Sequence, residues 1–536
     1  MPRSRYDEPD HCLGATAFSK TTEVLDPLWV VAQLRALPVV WKPLRKAIGS
    51  ELKPKPKLAA LQGRPRAPGH WELAYLTFVV SDAVDIHPWW AKSPRELWRA
   101  CGFEERPSYP ACWLRFTEFE RCSDAFRRAA NQLIRHACKH EPRIASHLHT
   151  DATEAETHAA LIHDCPPDAK CMSPDGGRRA ERGRRAARVK TVYARKDRTK
   201  AAELPEEEAE RLLSGGIERV VETERGKRLR IGGHWYLSRD ASAGARAYTG
   251  PHGATRFWHG YYNHKLISHF IGAPVAVGLF SASEQEYDSY PTMLRRGLQA
   301  TGDLPQSVVA DKGLAIERVY RLHTRLGIAS VMPWRGSQFG MAKDQERFDR
   351  HGVVRCKHCG GETAMVRFSE RPSPRLWVRC LLEITDACER VQTVSCSAGW
   401  RYLLPLWRTD RLYKTLEASH SRYERVHDLW RDRYKVGPDD LAMRPKRPGI
   451  LWQELRAQAA LLAEWLRICA LHGWLGSVRR VKRLRPRRDP EAERAPVKVA
   501  QLHEERHHAR LHEPYGDAAV ELGVGKARPP TPKKKS

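Results

Sequence analysis

Apolar positions recur along this chain with two periods, and the switch from one to the other marks its segments. In IASHLHTD, residues 144 to 151, Ile144, Ser146, Leu148 and Thr150 alternate with Ala145, His147, His149 and Asp151. A period of two predicts a short strand. RFWHGYYNHKLISHFIGAPVAVGLFSAS, 256 to 283, predicts two more strands, joined as a hairpin through a turn at Gly272 to Pro274. The next stretch, YDSYPTMLRRGLQATG, changes to the helical period. SVVADKGLAIERVYRLHTRLGIASVMPW, 307 to 334, then reads as strand, amphipathic helix, strand. Long helices are expected at 411 to 434 and at 452 to 473.

Residues 1 to 140 read as mostly helical and form the first expected domain. Within them, Ser93 is placed to N-cap a short helix, with Pro94 at its first position and Glu96 as the capping-box partner. Gly102 closes that helix, and Ser108 opens another carrying Trp113, Phe116 and Phe119. Helix, turn, helix over 93 to 120 is a candidate DNA-reading unit. The second expected domain, 141 to 434, carries a basic insertion at 165 to 255 and a cysteine-rich one at 335 to 410. A helical region follows at 435 to 480, then a basic tail at 481 to 536, expected to lack order.

Charge alters this picture. Lys and Arg number 92 against 64 Asp and Glu, a net +28, and the excess is clustered in GGRRAERGRRAARVKTVYARKDRTK, in RRVKRLRPRR and in the terminal lysines. Such clusters call for a polyanionic partner, most simply nucleic acid. No apolar run is long enough to span a bilayer, so the expected setting is soluble and cytoplasmic, close to the nucleoid. In that reducing setting the 13 cysteines are read as packed thiols or metal ligands.

Laid in order, the predicted elements are a strand ending in Asp151, a two-stranded hairpin, a helix, a strand ending in Asp311, a helix, a strand, an insertion and a helix. That is the order of an α/β, RNase H-like mixed sheet flanked by helices. Its first and fourth strands are neighbours, so Asp151 and Asp311 should meet. Two like carboxylates repel unless cations lie between them, and two Mg²⁺ or Mn²⁺ ions would fit there. A third carboxylate should come from the helix after the insertion, where Glu417, Glu424 and Asp428 are candidates and Glu424 and Asp428 share a face. Arg425 and Arg431 on that helix, Lys312 beside Asp311, and His264 and Lys265 on the hairpin are candidate phosphate contacts.

The cysteine-rich insertion opens with Cys356-x2-Cys359 and a glycine pair. This knuckle, with Cys380 and Cys388, predicts a structural zinc site in a ribbon-like module, with Cys396 as a spare ligand and His358 outside the set. A second arrangement, His158, His163, Cys165 and Cys171, has no such knuckle.

Residues from about 25 to 480 resemble bacterial insertion-sequence transposases of the DDE, RNase H-like type. The resemblance rests on HLHTDATEAETHAAL around Asp151, FWHGYYNHKLI with GAPVAVGLFSASEQEYDS, VVADKG around Asp311, and RYERVHDLWRDRY around Glu424. Asp288 matches a helix-opening aspartate, and Asp240 in WYLSRDASAGAR matches a linker preceding the hairpin. The chain differs at Leu314, where a tyrosine is usual, and at Glu417 and His420, where Tyr and Arg are common. The resemblance implies Asp151, Asp311 and Glu424 as catalytic and metal-holding residues. It also implies DNA end cleavage and strand transfer, and action as a dimer or larger on paired terminal inverted repeats and target DNA. The rival reading is a domesticated or decayed DNA-binding protein of the same fold, without activity.

Overall fold

The computed structural model describes residues 25–52, 70–156, 255–333, 354–395, 411–436 and 450–476, with short gaps, and isolated strands between 161 and 249. The basic stretch at 176–200, the tail at 481–536, Cys396 and the second candidate metal set (apart from the backbone of His163) lie outside the described residues.

The centre is a six-stranded mixed sheet. β1 (His147–Glu156) lies between β7 (Thr255–Ser268), which is antiparallel to it, and β9 (Ser307–Ala310), which is parallel. β10 (Ala329–Val331) continues in parallel beyond β9. The far edge of β7 is divided. Its first half pairs with β6 (Gly244–Thr249) and its second with β8 (Pro274–Ser281). β1 starts later than its alternation suggests, because 143–146 form a helical turn, and it runs on to Glu156 against β7 alone.

The insertion before β7 is not one polar arm. β2 (Leu161–His163), β3 (Ile217–Thr223), β4 (Gly226–Ile231) and β5 (His234–Ser238) make a second, four-stranded sheet. Strand-forming residues such as those in IERVVET were outweighed in the sequence reading by the surrounding charge.

The N-terminal helices are α1 (Pro27–Arg35), α2 (Pro38–Glu51), α3 (Trp71–Val80), α4 (Ile86–Lys92), α5 (Arg95–Ala100), α6 (Tyr109–Glu118) and α7 (Ser123–His140). They share one apolar core with the sheet and with the C-terminal helix, so the segment expected as a separate domain is packed into the same body. Ser93 does not N-cap α5. Its hydroxyl donates to the Trp89 carbonyl at 2.6 Å and finishes α4, while Pro94 takes the cap position. Phe116 of α6 and Phe119, just past its end, face inward onto Tyr75, at 5.1 and 5.8 Å between ring centroids.

Further helices pack on the sheet: α8 (Glu286–Thr301), α9 (Glu317–Leu326) and α10 (Arg411–Tyr434). On one face of the sheet, α8 meets Tyr262 and His264 through Ser289. On the other, Tyr413 and Leu416 of α10 pack on Val309, Ala329 and Val331. The last helix, α11 (Ile450–Leu471), is buried from Trp452 through Cys469. An all-round buried helix with Glu454, Arg456, Gln458 and Glu464 inside must have partners for them.

Those partners include the open edge of β8. Glu454 accepts from the Leu279 N–H at 2.8 Å, Gln458 donates to the Val277 carbonyl at 3.0 Å, and Trp465 donates to the Pro274 carbonyl at 2.7 Å. Arg296 of α8 joins them, reaching both the Val277 carbonyl and Glu454. Side chains of α11 thus take the place of a neighbouring strand. Glu454→Leu strands Arg296 and the Leu279 N–H in the interior and is expected to lower the unfolding free energy by about 3–5 kcal/mol. Glu454→Gln still accepts from Leu279 and costs less; denaturant unfolding of the two variants measures the difference.

Candidate active site and thiol cluster

The face of the sheet beneath α10 carries the titratable side chains. Thr150 on β1 pairs with Ala310 on β9, so Asp151 and Asp311 occupy the next positions on neighbouring parallel segments. Asp151 stays within β1, since β1 continues past the point where β9 stops. Its Oδ1 accepts from the Ala152 N–H at 2.8 Å, and its Oδ2 lies 3.1 Å from His427 Nε2. Burial alone would raise the Asp151 carboxyl, but the close approach of His427 holds it below the ordinary carboxylate range.

Asp311 follows β9 and is exposed. Its Oδ1 accepts from the Gly313 N–H at 2.7 Å, so it caps the turn while presenting its carboxylate to solvent. A Cβ at position 313 would lie 2.8 Å from that oxygen, which explains the glycine in Asp-Lys-Gly. Leu314 is buried in the main core; the leucine that stands where tyrosine is usual serves packing here.

Glu424 lies on α10, one turn from both His420 and His427 in sequence, and its side chain is outside the described residues. Asp428 is exposed and forms an ion pair with Arg431. Arg425 and Lys312 are exposed, as phosphate contacts should be. His264 and Lys265 are not placed for that role, because both are fully buried. His264 uses Nε2 with Thr150 Oγ1 at 2.7 Å and Nδ1 with Ser289 Oγ at 3.0 Å, tying β1 to α8. Lys265 Nζ lies 2.7 Å from His427 Nδ1. Burial brings the Lys265 amine down to about 7, against the upward pull of Asp151.

Several histidines beside these residues went unremarked in the sequence. His149 Nε2 is 2.9 Å from His269 Nδ1, its ring stacks on Tyr423 at 3.9 Å, and His420 Nδ1 lies 3.5 Å from its other nitrogen. Burial pushes His149 well below the ordinary imidazole value. The signal was available on α10. Tyr413, Leu416, His420, Tyr423, His427, Trp430 and Tyr434 repeat at alternating steps of three and four, which marks the inward stripe of a helix, and two of its members are histidines.

The second cluster lies in the cysteine-rich insertion, on a three-stranded sheet of β11 (Thr363–Ser369), β12 (Arg375–Cys380) and β13 (Gln392–Ser395). Sγ atoms of Cys356, Cys359, Cys380 and Cys388 all lie within 4.8 Å of one another. Tetrahedral zinc with Zn–S bonds of about 2.3 Å spaces its sulfurs about 3.8 Å apart. Cys356 and Cys388 are 3.8 Å apart, and Cys359 and Cys380 are 3.5 Å apart. The four thiols therefore form a site that could bind a metal such as zinc. Gly360, at φ +67°, turns the knuckle so that the Gly361 N–H points at Cys359 Sγ, 3.4 Å away. Burial works against ionising Cys356, yet donors from Gln392 and the knuckle backbone bring that thiol down to about 6.

Comparison of the chain with protein-family models, with curated proteins and with solved structures finds no match. No helix among the described residues is long and apolar enough to cross a membrane.

Zinc content gives a direct check on the cluster. The purified chain is expected to carry about one zinc per molecule, and Cys380→Ser to carry little. Chelation should expose Cys356 and Cys388 to thiol reagents and leave the α11-centred core folded.

Proposed function

We propose that this chain is a DDE transposase that cleaves DNA at the ends of an insertion sequence and joins them to target DNA. The observation that carries this reading is the register that pairs Thr150 with Ala310, so that Asp151 in β1 and Asp311 directly after β9 come next on neighbouring segments, on the sheet face covered by the helix that bears Glu424. The strand order β8-β7-β1-β9-β10, with the last three parallel, supports an RNase H-like core. The exposed Lys312 and Arg425 beside the site, and the net charge of +28, suit a DNA partner.

The donor set suits hard divalent cations such as Mg²⁺ or Mn²⁺. Asp311 is exposed and Asp151 keeps 25% of its side-chain surface, so both carboxylates can be reached. When bound, such cations supply charge to a reacting phosphodiester and acidify an attacking water. The chain's own residues do the holding. Asp151, Asp311 and Glu424 supply the carboxylates, while Lys312 and Arg425 meet DNA phosphates. β1 carries Asp151, and the parallel pairing of β1 with β9 brings the start of the turn that bears Asp311 beside it.

Cleavage of a DNA fragment carrying the gene's own flanking ends tests this reading. Wild type is expected to produce 3′-hydroxyl ends only with Mg²⁺ or Mn²⁺, and Asp311→Asn to cut about 100-fold less or worse. Equal binding by both proteins with no cutting by either would favour a decayed, DNA-binding protein. Binding itself should weaken steeply and log-linearly with salt, because neutralised phosphates release their counterions. A flat salt response would argue against backbone contacts.

A further inference from the structure

A buried lysine and a buried histidine adjoin Asp151. Lys265 is opposite Asp151 in the β1–β7 register, yet its amine meets His427 Nδ1 at 2.7 Å, and His427 Nε2 lies 3.1 Å from Asp151 Oδ2. In its charged form a lysine can only donate, so the imidazole then accepts at Nδ1 and carries its proton on Nε2, whose 3.1 Å approach to Oδ2 is a bent, electrostatic contact and not a full hydrogen bond. Oδ1 takes the Ala152 N–H, and the side chain keeps 25% of its surface exposed.

We infer that His427 is a positioning residue of the site, orienting Asp151 for a divalent cation, and that Lys265 fixes the tautomer in which His427 does so. The inference rests on the proposed reading of Asp151 and Asp311 as a cation-holding pair. A carboxylate ligand backed by such an outer polar contact is held in one orientation, and loss of the outer partner typically weakens binding about 10- to 100-fold. The sequence position fits. His427 lies on the inward stripe of α10 one turn beyond Glu424, so a single helix brings both a ligand candidate and the group that orients another.

Mn²⁺ binding to the zinc-loaded full-length chain, followed by electron paramagnetic resonance, tests this without reference to DNA cleavage. The informative pair is His427→Gln and His427→Asn, two amides of similar polarity. Glutamine carries its N–H to where Nε2 stood and asparagine cannot, so a structural role would move both alike. His427→Gln is expected to bind Mn²⁺ nearly as wild type, and His427→Asn about 10- to 100-fold more weakly. Lys265→Met should also weaken binding, since Nδ1 then loses its donor. Equal affinity in the two amide variants overturns the inference, as does tighter binding by His427→Asn, which would mean that the imidazole competes with the cation. Asp151→Asn separates the two failures. Binding lost in Asp151→Asn but equal in both His427 variants removes the positioning role alone. Binding absent from wild type, or unchanged in Asp151→Asn, brings down the cation-pair reading as well.

Discussion

An unpaired strand edge in a protein interior is costly, and the arrangement of this chain follows from how that cost is met. β8 pairs with β7 on one side only, and its other side is enclosed by helices. Water cannot satisfy the Leu279 N–H or the Val277 and Pro274 carbonyls there. Glu454, Gln458 and Trp465 do so instead, from one helix spaced so that its side chains reach successive outward groups of the strand. That requirement fixes α11 along β8. The same helix then packs against α3 and α7 of the N-terminal region. One hydrogen-bonding constraint thus links the described N-terminal helices, the sheet and the end of the described chain into a common interior.

With that edge sealed, the two faces of the sheet are free to differ. The face toward α8 is pinned by neutral hydrogen bonds, such as those of His264 and of the Tyr290–His323 pair at 2.6 Å. The face toward α10 gathers the charge: Asp151, Lys265, His427 and, at the rim, Asp311. Asp151, Lys265 and His427 are largely buried, and burial forces such groups toward neutrality unless a partner intervenes. The opposite displacements of Asp151 and of Lys265 from where burial alone would leave them reflect that pairing.

Much of the element order was legible because local period and turn chemistry were strong. The hairpin around Gly272, the helix at 411 to 434 and the strand–helix–strand around Asp311 all appear with small shifts in their ends. The adjacency of Asp151 and Asp311 followed from that order, and the four clustered thiols from the knuckle spacing. What was not legible depended on long-range burial. His264 and Lys265 looked like the wet side of a strand, because a single sequence does not reveal that both faces of β7 are covered. Ser93 satisfies the preceding helix because the neighbouring proline already suits the next helix's start. The β8 partners of the polar residues of α11 lie some 180 residues away, beyond the reach of any local pattern.

The cross-strand register of Asp151 and Lys265 has a bearing on how the site comes together. Strand pairing alone sets an amine and a carboxylate opposite each other on one face, an arrangement that suits a direct cross-strand ion pair. In the folded protein the His427 ring of α10 stands between them, Nδ1 toward Lys265 and Nε2 toward Asp151. The helix therefore covers no uncompensated charge. The sheet face is in that sense self-neutralising, with the counter-charge built into the register and the helix supplying only the ring that relays it.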